Sequence, residues 1–198
     1  DDARIAQSLT LLTDNYGNPL RTAQIAYPRG FLSPEPVEGE PEQTQLIITV
    51  NETSFINKDT NPNFYLLGIP YKTEAYELTG LSTGTGFFTK DVINAAFNTA
   101  QEISFEDTPN TQNTEKRILS KTKILYHKET PDLSESLPPG EVASHALPYQ
   151  TFESVYTDDL LTNIYGTPTS QYPILKPGES ISNVITDAKY IKGNNIIT

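Results

Sequence analysis

The stretch from Ser8 to Arg29, SLTLLTDNYGNPLRTAQIAYPR, constrains this chain most, because its pattern is that of two strands joined by a tight turn. Ile5, Leu9 and Leu11 share one face of a first run, and Ala23, Ile25 and Tyr27 alternate along a second. Between them stand Asp14, Asn15, Tyr16, Gly17 and Asn18. Gly17 and Asn18 are residue types that accept positive φ cheaply, and the short side chains of Asp14 and Asn15 can fold onto nearby backbone N–H groups. Asp14, Tyr16, Gly17 and Asn18 therefore read as a structural turn rather than a ligand site. A hairpin alone is at best marginally stable in water, so its apolar face must lie on something larger.

The 198 residues are enough for one well-buried domain, or one domain with an appendage. Asp and Glu outnumber Lys and Arg 25 to 14, a net charge of −11 that argues against nucleic acid and anionic membrane as partners. The same surplus also simply keeps a protein in solution. Cysteine is absent, which excludes disulfides, thiolate metal sites and a cysteine nucleophile. No apolar run approaches the roughly 18 residues of a membrane-spanning helix, and the first residues lack a signal-peptide pattern. With Asp1 first and no methionine anywhere, the expectation is a piece of a longer protein.

Taken in order, the chain reads as mainly β, built of antiparallel hairpins and strips with two short helices at about 89–101 and 158–165. Ser33 to Glu42 is rich in proline and glutamate and reads as an exposed loop. TQLIITVN, Thr44 to Asn51, reads as a strand. Asn51-Glu52-Thr53 matches a glycosylation sequon, a match too short to carry weight. After a polar turn from Asn57 to Asn63, Pro70 divides the next run into a short buried segment, Phe64 to Leu67, and a strand, Tyr71 to Leu78. Thr83-Gly84-Thr85-Gly86 lacks both the lysine ending of a P-loop and the spacing of a dinucleotide fingerprint, so it reads as a turn.

From Thr89 the spacing becomes helical, with Val92, Ile93, Ala96, Phe97 and Ala100 three and four apart, Thr89 as N-cap and Asp91 in the first turn. Ile103 and Phe105 continue as a short extended segment, and Asp107 to Glu115 is a loop. Lys116 to Lys128 reads as the longest strand, with Ile118, Ile124 and Tyr126 on one face and Leu119, Lys121, Lys123, Leu125 and His127 on the other. Its basic residues suit either an anion-binding rib or a solvated face whose lysines guard an edge; aromatic interleaving is missing, which favours the second. Beyond a connector from Thr130 to Gly140 come a strand, Tyr149 to Tyr156, and a helix capped by Thr157 and stopped by Gly166. A Gly193-Asn194 turn in the tail suggests a further hairpin.

Chemistry is scarce. His127 and His145 stand eighteen apart in no metal or catalytic spacing and read as structural or surface residues. No stretch follows a calcium loop. The expectation is a non-catalytic module with no catalytic, metal or cofactor-binding residues.

Four ordered segments resemble one known family. SLTLLTDNYGNPLRTAQIAYPR is similar to the SLTLEVDxYGNVLxxxxIxYxR motif of the middle region of the B component of bacterial insecticidal toxin complexes (TcB or TcdB-like, SpvB- and RHS-associated). Phe64 to Leu81 resembles its YRLGLPxxxxTYELTGL segment, Arg117 to His127 its RxLSRTRTLY strand, and Leu137 to Gly166 its LPLGExxSLALPYxxYxxxxTxxLLxxxYG run. In the tail, Asp187-Ala188-Lys189 and Ile196-Ile197 stand where the family has a GGY strand and a Trp-Trp-Ile sequence.

The resemblance implies residues 1–166 as the middle-region β-module, with 167–198 a linker and the start of a following hairpin. It implies a structural part of an RHS/YD-repeat-like shell that encloses a cytotoxic polypeptide before delivery through the A-component pore. The implied partners are the rest of the B component with its propeller, the C component with its YD repeats and toxic C-terminal region, and the A-component pore, with no nucleic acid and no direct membrane binding. The implied location is secreted, as part of a larger toxin. Two other classes stay open: a carbohydrate or cell-surface binding module, which would show exposed tyrosine pairs on one face, and an enzyme, which would gather His127 or His145 with carboxylates in a hollow.

Overall fold

A computed structural model describes residues 4–32, 41–84, 86–129 and 135–154. Among them are seven strands and one α-helix: β1 (Ala6–Thr13), β2 (Pro19–Ala26), β3 (Ile47–Lys58), β4 (Leu66–Thr79), α1 (Lys90–Thr99), β5 (Gln101–Ile103), β6 (Glu115–Tyr126) and β7 (Pro148–Glu153). The strands form one sheet in the order β1-β2-β3-β4-β6. Beyond β6, its far side is shared: β5 runs parallel to Glu115–Arg117 and β7 antiparallel to Thr122–Tyr126.

The first four strands form an antiparallel meander, and side-chain alternation decides which face is covered. Ala23, Val50 and Tyr76 lie in register across β2, β3 and β4, with Ile25 beside Ile48; all five are buried. Ile47, one residue out of phase, is 51% exposed. Helix α1 closes the covered face with Ile93 and Phe97, one turn apart and both buried. The helix begins where its chemistry requires, with Thr89 Oγ1 accepting from Val92 N–H at 3.4 Å, and its last turn is closed by Ala100 N–H donating to Ala96 O at 2.8 Å.

Polar side chains fix the helix on the sheet. Arg21 on β2 donates to Glu52 on β3 through Nε (2.9 Å) and Nη2 (2.6 Å), and through Nη1 to Asn94 (2.6 Å) and Asn98 (2.8 Å) of α1. Its guanidinium lies 4.5 Å from the centre of the Phe97 ring, and Lys116 Nζ lies 4.7 Å from the same ring. Leading into the helix, Phe88 N–H donates to the Tyr27 hydroxyl (2.8 Å), which donates to Gln7 Oε1 (2.6 Å), while Gln7 Nε2 donates to Phe88 O (3.0 Å). A smaller apolar cluster of Ile56, Tyr126 and Val142 fills the end of the sheet where β3 turns into β4.

The structure corrects several local expectations. Pro70 does not divide its run: β4 is continuous over 14 residues and, not β6, is the longest strand. Phe55 pairs with Pro70 and Ser54 with Lys72, so Tyr71 is an extra residue in a bulge, where a missing N–H interrupts no regular ladder. A second bulge at Leu119 breaks the assumed alternation of β6. Tyr76 pairs with Ile118 and Ala75 with Ser120, which brings Lys121, opposite Glu74, onto the same face as Ile118. Nor do the basic residues guard an edge, because β6 has neighbours on both sides. Lys121 pairs with Glu74 (3.2 Å), Arg117 with Glu77 (2.6 Å) and Lys116 with Glu102 (3.9 Å). The mainly β fold is as expected, and the first helix stands as Lys90–Thr99. The helix expected at 158–165, the end of the strand expected to reach Tyr156, the tail hairpin, the boundary at 166/167 and the loop at 33–40 lie outside the described residues.

Candidate functional site

The expected turn is a junction between two hairpins. Asp14 organises it: Oδ1 accepts from the N–H groups of Tyr16 and Asn18, each at 2.9 Å, and Oδ2 accepts from the Asn18 side-chain amide at 2.9 Å. Gly17 closes the reversal with φ +85° and an N–H donated to Asp14 O at 3.2 Å. From the β3–β4 hairpin, Asn57 donates its amide to Asp14 Oδ2 (3.0 Å) and accepts Gly68 N–H on its Oδ1 (2.8 Å). The Tyr16 hydroxyl donates to the Asp59 carboxylate. That bond pushes the Tyr16 phenol up to about 12, with burial and the charges of Asp59, Tyr65 and Asp14 adding to it. Desolvation pushes the Asp14 carboxyl up, yet the hydrogen bonds from Asn18, Asn57 and Tyr16 together hold it below its ordinary 3.8.

Asp14, Tyr16, Gly17 and Asn18 are thus brought together, and every oxygen of Asp14 is engaged by amides. Asn57, Asp59 and Gly68 complete the junction and were not singled out from sequence. The signal was present in the polar turn from Asn57 to Asn63, but its partner depends on the register of β3 against β2.

The two histidines, read from the sequence as structural or surface residues, line the same hollow. His127 and His145 line a hollow of about 410 Å³ with Lys128, Glu129, Ala143, Ala146 and Leu147. His145 Nδ1 lies 3.1 Å from Glu129 Oε1 and 3.1 Å from Ser144 Oγ. A serine–histidine–acid relay needs the acid on one ring nitrogen and the hydroxyl on the other. Here a single nitrogen faces both, so the arrangement does not build that relay. Lys128 is held by Glu135 at 2.6 Å. The ring of His127 meets Tyr149 edge to face at 4.9 Å, and its buried Nδ1 finds no hydrogen-bond partner among the described residues. Among the described residues no three His, Asp or Glu side chains converge on a point that could hold a metal ion. In the glycine-containing stretch after β4, Gly86 N–H reaches Thr83 O at 3.5 Å.

Residues 1–69 match the family model described as "Insecticide toxin TcdB middle/C-terminal region". That match takes in both hairpin tips, with Asp14, Asn57 and Gly68, and stops short of the three later segments of resemblance apart from the first residues of one. No curated protein matches the chain. Among solved structures, the crystal structure of TcdB2-TccC3-Cdc42 shares the fold with a TM-score of 0.64 over 96% of this chain at 18% identity. That of TcdB2-TccC3-TEV does so with 0.63 over 94%, also at 18%. This chain spans 8% of the length of each of those chains. Residues 1–69 are thus similar in sequence to that family, and the solved TcdB2-TccC3 structures share the fold of nearly the whole chain.

Proposed function

We propose that this chain is a non-catalytic wall module of a toxin-complex B component, part of the β-shell that encloses a cytotoxic polypeptide before delivery through the A-component pore. The observation that carries the reading is a shared fold with TcdB2-TccC3 complexes over 96% of the chain. The physical features agree with a wall. The sheet is one layer deep with α1 on one face, Arg21, Lys72, Lys116, Arg117 and Lys121 pair with glutamates of the sheet, and the polar hairpin tips are bonded to each other. Its partners in this reading are the remainder of the B component, a C component of the kind present in those complexes, and the A component, with the assembly secreted. Asp14, Tyr16, Gly17 and Asn18 serve as architecture, holding successive hairpins in register.

The test is to produce the B-component protein carrying this segment together with its C component and challenge the complex with protease. Protection of the C component's toxic region, lost when Gly68→Val opens the corner, is the expected result. A toxic region cleaved equally in both, or an assembled particle with this segment outside the shell, would overturn the proposal.

One observation favours a sugar-binding reading. Tyr16 and Tyr65 are both exposed and lie within electrostatic reach of each other at the hairpin tips. Glycan binding that disappears in Tyr65→Ala would establish it; an array without a hit would remove it.

A further inference from the structure

Two departures from local rules fall on the same hollow. Ala146 holds φ +46°, and among the described residues it is the one non-glycine residue in the left-handed region. His127 has a buried Nδ1 that meets no hydrogen-bond partner among them. Both residues line the hollow of about 410 Å³, a volume in the range of small-molecule sites. The segment carrying Ala146 is held at both ends: Ala146 N–H donates to Ala143 O at 3.0 Å, and Leu147 O accepts His127 N–H at 2.9 Å. Strained backbone and unmet polar groups cost stability, and they concentrate where a surface is shaped for something other than folding.

The polar lining decides which chemistry fits. Lys128 is paired with Glu135 at 2.6 Å and His145 with Glu129 at 3.1 Å, so a charged ligand would have to displace a partner already in place. A neutral one would not. The carboxylate of Glu129 can only accept, so a neutral His145 carries its proton on Nδ1 and keeps Nε2 as an acceptor. In His127 the buried Nδ1 has no acceptor to receive a proton, so the proton belongs on Nε2, which becomes a donor. One donor and one acceptor suit a hydroxyl group, which accepts and donates at once.

We propose that this hollow binds a small neutral molecule made of an apolar body and one hydroxyl, of the size of a phenol. The hydroxyl accepts from His127 Nε2–H and donates to His145 Nε2, which reaches it from the rim on a side chain 76% exposed. The apolar body lies on Ala143, Ala146 and Leu147. The inference goes beyond the wall reading and does not depend on it.

Calorimetric titration of p-cresol into the full-length protein that carries this segment tests the proposal, with p-toluate, the same body bearing a charge, as the contrast. The expected result is saturable binding of p-cresol, with p-toluate weaker. His127→Phe keeps the ring shape and removes the donor, and should weaken p-cresol about fivefold or more. Ala143→Leu fills the hollow and should abolish binding, with circular dichroism unchanged in both variants. No saturation by p-cresol, as would follow if a neighbouring segment of the protein fills the hollow, would sink the proposal. So would p-toluate binding as tightly as p-cresol, or p-cresol binding undiminished in His127→Phe or in a folded Ala143→Leu.

Discussion

The side-chain amide of Asn57 donates to Asp14 Oδ2 at 3.0 Å, bonding the tip of the second hairpin to the turn of the first across 43 residues of sequence. The same amide accepts Gly68 N–H on its oxygen, so one side chain ties together a turn, its own strand and the start of β4. Asp14→Ala removes the acceptor for four hydrogen bonds, and Asn57→Ala removes one of those four together with the bond from Gly68 N–H. Because both act through one network, the double variant should lose less stability than the sum of the single losses. Urea unfolding of the four proteins measures this; simple additivity would mean that the two hairpin tips are energetically independent.

Acid should weaken the fold through two carboxylates. Asp14 is held below its ordinary 3.8 as described. Burial raises Glu74, but hydrogen bonds and charge from Lys72 and Lys121, 2.7 and 3.2 Å away, bring it below its ordinary 4.5. A carboxyl whose folded pKa lies below its unfolded value stabilises the fold fully above the unfolded value. That contribution is lost as pH falls through the folded one. Melting temperature should therefore hold steady down to about pH 5 and decline below it. In Asp14→Asn and Glu74→Gln the decline should be shallower, while their stability at neutral pH is lower. A decline of unchanged steepness in both would remove these groups as its cause.

Gly17 and Gly68 both hold positive φ but in different surroundings. An added Cβ at Gly17 meets nothing within 4 Å, so Gly17→Ala should cost the backbone strain alone, about 1–2 kcal/mol. At Gly68 the Cβ would come 2.7 Å from Asn18 Oδ1, so the substitution adds displacement of the turn to the same strain. Gly68→Ala should accordingly destabilise more than Gly17→Ala. Denaturation midpoints with unchanged m-values decide the order, and the reverse order would refute the tight docking of the two tips.

Arg21 links sheet and helix through polar contacts to both. Its side chain is 12% exposed and its donors serve Glu52, Asn94 and Asn98. Arg21→Ala should cost about 2–3 kcal/mol, the range for hydrogen bonds to a charged group left without replacement. Lysine should restore only part of this, because it lacks the planar fork that reaches two elements at once and stacks on Phe97. Full rescue by lysine would show that charge alone matters at this position.

These links mark what was legible in the sequence. The turn at Asp14–Asn18 and the cap at Thr89 could be read because their hydrogen bonds close within four residues, so residue type and spacing suffice. The alternation of β2 and of the first half of β3 gave the buried face for the same reason. The bulges at Tyr71 and Leu119 could not be read, since each shows only against the partner strand, and the second shifted the faces assigned along β6. Arg21 stands in the Ser8–Arg29 stretch, but its partners lie 31 to 77 residues away and depend on where α1 lands. The hollow at His127 is likewise a product of β6 meeting the segment before β7.

That hollow yields the last prediction. His127 packs its ring on Tyr149, while its buried Nδ1 lacks a partner among the described residues. An unpaired buried nitrogen costs desolvation without return, so an apolar ring of similar shape should serve the fold at least as well. His127→Phe is expected to leave stability unchanged or to raise it by about 1 kcal/mol, and His145→Ala, at a side chain 76% exposed, to change it by less than about 0.5 kcal/mol. Urea midpoints measure both. A His127→Phe variant that unfolds much more readily would show that the ring nitrogen has a structural partner.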